Sequence, residues 1–174
     1  MVARMKADNT RVYVGLGSNS GDASVAIARA VDGLAAMAGL AVEGVSPEYR
    51  TEPQDYADQP WFRNRVVRLA AAPSWQPVAL MRALLGLEAA LGRVRSPDPA
   101  LRFGPRAIDI DMLLFGDTVL DDPVCTLPHP RLHRRAFWLV PLLDLSPAIA
   151  VAGTPARELL SRLDWRLEGD KIFQ

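Results

Sequence analysis

The chain has 174 residues, 49% of them apolar, and twenty basic side chains balance twenty acidic ones to a formal net charge of zero. That length supports one compact domain able to bury roughly 70% of its unfolded surface, and neutrality argues against coating nucleic acid or an anionic membrane. Cys125 is the sole cysteine, which excludes an intrachain disulfide and fits a reducing cytoplasm; no segment reads as a signal peptide or reaches the roughly 20 apolar residues that span a bilayer.

In chain order, residues 1–10 are polar and patternless, a flexible N-terminal extension ahead of a single domain over 11–174. Val12 to Gly17 reads as a short buried strand ending in glycines, and Ser18 to Asp22 supplies turn and capping residues. Helical spacing of Val25, Ile27, Ala30, Val31, Leu34 and Met37 predicts a helix over 23–38 that Gly39 stops. Leu40 to Tyr49 resembles a strand interrupted by Pro47, Thr51 to Pro60 a loop, and Phe62 to Ala71 a strand.

Ser74 is placed to cap a helix over 76–91, after which Arg93 to Arg106 forms a second long loop and Ala107 to Phe115 a strand of alternating character. A short strand is expected around Thr118 to Leu120. A later helix is expected from near Pro130 until Pro141 ends or kinks it, and a last short one within 155–163. The order strand, helix, strand, strand, helix, strand predicts an α+β fold: a ferredoxin-like βαββαβ antiparallel sheet covered by helices, with appended C-terminal elements.

The most informative segment is Arg106-Ala107-Ile108-Asp109-Ile110-Asp111-Met112. Strand alternation sends Asp109 and Asp111 to one side, with Cα atoms about 6.5 to 7 Å apart. Carboxylates so spaced can converge on Mg²⁺, which takes one or two of them together with water and phosphate oxygens, or on a pair of ions. An isolated D-x-D is more often the solvated face of a half-buried strand. Here aspartate interrupts an apolar run in which it is disfavoured, and the loop before it holds four arginines against only Asp98.

A second basic cluster, His129 to Arg135, reads most simply as a solvated face, and Pro130 stands where a zinc protease motif needs glutamate. Gly15 and Gly17 suggest a dinucleotide loop, but Ser20 occupies the third glycine position and no Walker motif exists. Phe62, Phe103, Phe137 and Trp138 taken singly are core residues, although Phe62 and Phe103 beside proline-bearing loops could stack on a flat heterocycle.

Together these segments resemble the 6-hydroxymethyl-7,8-dihydropterin pyrophosphokinases of folate biosynthesis. The resemblance rests on V-G-L-G-S-N over 14–19, Y-R-T-E-P over 49–53, F-R-N-R-V over 62–66, E-A-A-L-G-R-V-R over 88–95, G-P-R-A-I-D-I-D-M-L-L-F-G over 104–116 and P-H-P-R-L-H-R-R-A-F-W-L-V-P over 128–141. It implies a magnesium- and ATP-dependent transferase that moves pyrophosphate to a reduced pterin and releases AMP. Asp109 and Asp111 would hold two Mg²⁺ ions. Arg93, Arg95, Arg106, His129 and Arg135 would contact phosphates, with Arg93 and Arg106 catalytic, and Glu88 and Ile110 would belong to the nucleotide site. For the pterin, Asn64 would bond the ring edge, Phe62 and Phe137 would sandwich its faces, and Phe103 and the backbone near Thr51 would assist.

The resemblance further implies small-molecule substrates, no nucleic acid or membrane partner, and a cytoplasmic monomer. Two departures stand out: Phe103 replaces a frequent tryptophan, and the loop over 96–101 is longer than in compact members. The competing readings are a palm-like two-metal nucleotidyl transferase and a non-catalytic ligand-sensing or RNA-binding module. Val12-Tyr13-Val14-Gly15 resembles the start of an RNA-recognition strand, but 63–69 lacks the aromatics that such a module presents.

Overall fold

The computed structural model describes residues 8–53, 59–93 and 106–174. Its centre is β1 (Thr10–Ser18), whose nine residues pair antiparallel with β4 (Phe62–Ala71) on one side and with β5 (Asp109–Phe115) on the other. β2 (Leu40–Val45) and β3 (Tyr49–Thr51) both pair antiparallel with β4, at opposite ends of that strand. Pro47 lies in the break between them, as the sequence leads one to expect, because proline cannot donate to a ladder. β1 starts at Thr10, two residues before the strand expected from Val12.

Two helices cover one face. α1 (Ala23–Ala35) starts at Asp22, whose carboxylate accepts a hydrogen bond from the Val25 amide and so satisfies one of the free donors of the first turn. α2 (Pro77–Ala90) starts with proline in its first turn after Gln76, not at Ser74. Ile27, Ala30 and Leu34 from α1 and Leu80 and Leu84 from α2 pack on Val12, Val14, Leu16, Val67, Ile110 and Met112. Val25, by contrast, points to solvent.

The opposite face carries a second core under α3 (Ala136–Leu145) and α4 (Ala156–Ser161), built on Trp138, Leu139, Leu142, Leu159 and Leu160 against Tyr13, Tyr49, Val66 and Leu113. Helices on both faces make a three-layer arrangement around one sheet. The helix expected from Pro130 begins only at Ala136. A 3-10 turn over Leu132–Arg134 precedes it, and Pro141 sits within it rather than ending it. Burial of Trp138, Leu139, Val140 and Leu142 around that proline offsets the missing backbone donor.

Short pairs β6 (Leu120–Asp121) with β7 (Thr126–Leu127), and β8 (Ala150–Val151) with β9 (Thr154–Pro155), edge the fold. An element without a sequence signal closes it. β10 (Arg166–Glu168) and β11 (Lys171–Phe173) form a hairpin turning at Gly169 (φ +60°), and β11 runs parallel to β3, which makes the sheet mixed. Among the described residues, no helix is long and apolar enough to cross a membrane.

Candidate active site

The pleat of the central sheet gathers the site on the α3 side. Opposite Asp109 on β1 stands Gly17, and opposite Asp111 stands Gly15; Gly17 also faces Asn64 on β4, and β4 Phe62 faces Thr51 on β3. Residues directly across a ladder share a face, so both carboxylates, Asn64, Phe62 and Thr51 surround one cavity of about 70 Å³ together with Arg106, Arg135 and Phe137. Ile110 and Met112 alternate to the other face and are 1% and 2% exposed in the first core.

Glycine at 15 and 17 is required by close approach. A Cβ at 15 would lie 2.8 Å from Trp138 Nε1, and one at 17 would lie 2.7 Å from Asn64 Oδ1. The two glycines that suggested a nucleotide loop therefore make room for Trp138 and Asn64 against β1. Asn64 is 4% exposed and donates through Nδ2 to Thr51 Oγ1 at 2.6 Å, which fixes the amide plane.

Asp109 is held between two arginines: Arg93 Nη1 lies 2.6 Å from Oδ1 and Arg106 Nη1 lies 2.6 Å from Oδ2. Among the described residues, Asp111 has no such clamp. Although its side chain keeps 37% of its surface accessible, burial at the bottom of the site and the neighbouring Asp109 push its carboxyl up to about 7, against a lowering by Arg135. Removal from water also lowers His129, to about 4, helped by Arg135 and Arg131. The His129 Nδ1 accepts from the Arg131 amide at 3.1 Å, so the neutral ring carries its proton on Nε2, 3.9 Å from Asp111 Oδ1.

Arg135 stacks over Trp138 at 4.5 Å and Phe137 at 5.3 Å, and Trp138 meets the His129 ring edge-on at 4.6 Å. Trp138 thus forms the wall behind the charged groups, a position its core-like surroundings in the sequence did not reveal. Asn19 is a further residue that reads in the sequence only as part of a turn. Its Nδ2 donates to Gln59 Oε1 and to the Pro60 carbonyl, and its Oδ1 accepts from the Arg106 amide at 2.8 Å, so it ties the two long loops together at the cavity mouth.

The resemblance puts Glu88 and Ile110 in the nucleotide site, and the structure buries both side chains. Glu88 is 2% exposed, its Oε2 accepts from the Ile110 amide at 2.9 Å, and its Oε1 stands 3.9 Å from Arg93. Ile110 belongs to the first core, and Glu88 braces β5 and Arg93 beside it. An open cleft of about 350 Å³ does adjoin the cavity on the other side of Asp111, lined by Met112, Cys125, Thr126 and His129. Arg95 and Phe103 fall outside the described residues.

The donor set can be tested for a cation. Two carboxylates on one face are hard oxygen donors of the kind Mg²⁺ prefers, and that ion is commonly held by one or two carboxylates with water and substrate oxygens completing the shell. Among the described residues, no three His, Cys, Asp or Glu side chains converge on one point, so the remaining ligands would come from water and substrate. The residues fit such an ion.

The acidic pair on β5, the strand at the end of the sheet order, is ringed by arginine and adjoins an aromatic-walled cavity. Residues 13–147 match the model of the 7,8-dihydro-6-hydroxymethylpterin-pyrophosphokinase (HPPK) family, and the chain belongs to that family. It is 44% identical over 155 residues to the 2-amino-4-hydroxy-6-hydroxymethyldihydropteridine pyrophosphokinase of Methylorubrum extorquens, covering 89% of this chain and 94% of that one. The Pseudomonas aeruginosa enzyme of the same name is 41% identical, over 87% of this chain and 90% of its own length. A crystal structure of wild-type Plasmodium falciparum HPPK-DHPS with pteroate superposes with a TM-score of 0.66 over 88% of this chain at 13% identity, a likeness of fold; this chain spans 44% of that longer protein.

Proposed function

We propose that the chain transfers the terminal pyrophosphate of ATP to the hydroxymethyl group of 6-hydroxymethyl-7,8-dihydropterin and releases AMP, a step of folate synthesis. The hydroxymethyl oxygen bonds to the β-phosphorus while the bond from that phosphorus to the oxygen of the α-phosphate breaks. The observation that carries this reading is the shared face: Asp109 and Asp111 open onto the same cavity as Asn64, Phe62 and Phe137, so a triphosphate and a flat heterocycle would meet there.

Asp109 and Asp111 would hold Mg²⁺, two ions in our reading, which when bound neutralises phosphate charge and aligns the oxygens for in-line displacement. Arg93 and Arg106 now satisfy Asp109; engaging the triphosphate would turn these donors toward the charge that accumulates on AMP, a preorganised electrostatic contribution. Arg135, over the Trp138 ring, and neutral His129, with Nε2–H as a donor, would bind phosphate oxygens. Arg95 is proposed in the same role and Phe103 beside the pterin, both from the family resemblance alone.

Phe62 and Phe137 would enclose the pterin faces and Asn64 would pair with its edge. Wrong heterocycles would leave that buried amide unpaired. Direct nucleotide contact would come from the cleft lined by Met112, Thr126 and His129, with Glu88 and Ile110 supporting it from the core. We read the antiparallel order β5-β1-β4-β2 as a ferredoxin-like core to which β3 and the β10–β11 hairpin are added. Charge neutrality and a lone cysteine support action on small molecules as a cytoplasmic monomer, without nucleic acid or membrane.

The test is incubation with ATP, Mg²⁺ and the hydroxymethyl dihydropterin, followed by chromatographic separation of AMP from ADP. Pterin-dependent AMP with a diphosphorylated pterin is expected. ADP would make the chain an ordinary kinase, and an absence of either product would overturn the assignment.

A further inference from the structure

Residues 166–174 lie beyond the stretch that the family model matches, yet they pack against β3 and α3, two elements that carry cavity residues. β11 sets Ile172 opposite Thr51, and Ile172 is 1% exposed in the core beneath α3. Phe173 meets Trp61 edge-on at 5.2 Å, beside the loop that leads to Phe62. Arg50 and Asp170 join the hairpin to β3 through two hydrogen bonds of 2.7 and 2.6 Å.

Gln174 then reaches across to α3. Its Oε1 accepts from the Ala136 amide at 2.7 Å, and its Nε2 donates to the Arg134 carbonyl at 2.6 Å. These two backbone groups flank Arg135, which has extended geometry (φ −123°, ψ 102°) and makes no side-chain cap bond to its own helix. The first amides of a helix lack intrahelical partners, so the Gln174 amide does for α3 what a local capping residue does elsewhere, from 38 residues away.

We infer that Gln174 is a positioning residue for the heterocyclic substrate: by bonding the backbone on both sides of Arg135 it sets where Phe137, in the first turn of α3, stands against the cavity. The Arg135 guanidinium has a second support in the buried Trp138 ring. Phe137 is only partly buried and stands at the mouth of the helix, so loosening the clamp displaces the aromatic wall more than the phosphate-facing charge. The inference rests on the proposed pterin chemistry of the same cavity.

The experiment is steady-state kinetics of Gln174→Leu and Gln174→Glu in the full chain with the pterin and ATP varied separately, and urea midpoints measured alongside. Gln174→Leu removes both bonds and should raise the pterin KM roughly fivefold to tenfold, the effect of losing such hydrogen bonds, with the ATP KM and kcat within about twofold. Gln174→Glu keeps an acceptor for the Ala136 amide, favoured at a helix N-terminus, and should recover most of the affinity. A merely structural role would lower the folded fraction, and so kcat, at unchanged KM; that result, or an unaltered pterin KM, overturns the inference. A wild-type chain that makes no pterin-dependent AMP overturns the functional reading, and this inference with it.

Discussion

The Glu88 carboxylate accepts a hydrogen bond from the Ile110 amide at 2.9 Å and lies 3.9 Å from Arg93, which links the last turn of α2 to the strand between the two aspartates. Glu88→Ala leaves a buried amide without its acceptor, a loss of about 2 kcal/mol, and removes one of the two carboxylates that face Arg93. Urea denaturation should show that drop together with a lower kcat; an unaltered midpoint would mean that the contact is dispensable.

Asp109 and Asp111 should respond differently to neutralisation. Asp109→Asn removes the carboxylate held between Arg93 and Arg106, whose side chains are 12% and 23% exposed, at a cost of about 3 kcal/mol. Asp111→Asn removes repulsion from Asp109, so thermal unfolding in chelator should shift upward for it and downward for Asp109→Asn. Both should lose roughly a thousandfold or more in turnover. Retained activity in either would remove that residue from the proposed metal pair.

Gly17→Ala should act on the pterin alone. The added Cβ would sit 2.7 Å from Asn64 Oδ1 and force the amide off Thr51, at about 1 to 3 kcal/mol of overpacking strain. We expect the pterin KM to rise roughly tenfold, the same order as that energy, while the ATP KM holds. Equal rises in both constants would place Asn64 away from the heterocycle.

Tyr49 donates to Asp144 Oδ2 at 2.7 Å, and burial together with that carboxylate pushes its phenol from 10.0 up to about 12. The folded state therefore holds the phenolic proton more tightly than the unfolded chain. Its stabilising effect is complete below pH 10 and is lost as pH rises through about 12. Wild type should exceed Tyr49→Phe by about 1.5 kcal/mol at pH 8, and the difference should shrink at pH 11. Phenolate absorbance rising fully near pH 10 would contradict the shift.

The acidic pair was legible because a strand alternates, so Asp109 and Asp111 had to share a face whatever packed above them. Glu88 had a readable signal too: it extends the buried stripe Leu80 and Leu84 by one more helical turn. The start of α3 was hidden because its first turn is capped by Gln174 instead of a neighbour, leaving no local signature near Pro130. Pro141 misled for a related reason, since the packing around Trp138 and Leu142 outweighs a local helix breaker. β10 and β11 are three residues each, too short for periodicity, and their partner strand is remote in sequence. Asn19 looked like a turn residue because its bridging of two loops exists only in three dimensions.

The parallel pairing of β11 with β3 also constrains how the molecule is made. Arg50 finds Asp170 only 120 residues later, which at ribosomal speeds of 5 to 20 residues per second is on the order of ten seconds. Until then the nascent chain carries β3 as an open sheet edge, a template for pairing with other strands, and the first turn of α3 lacks the bond that Gln174 supplies.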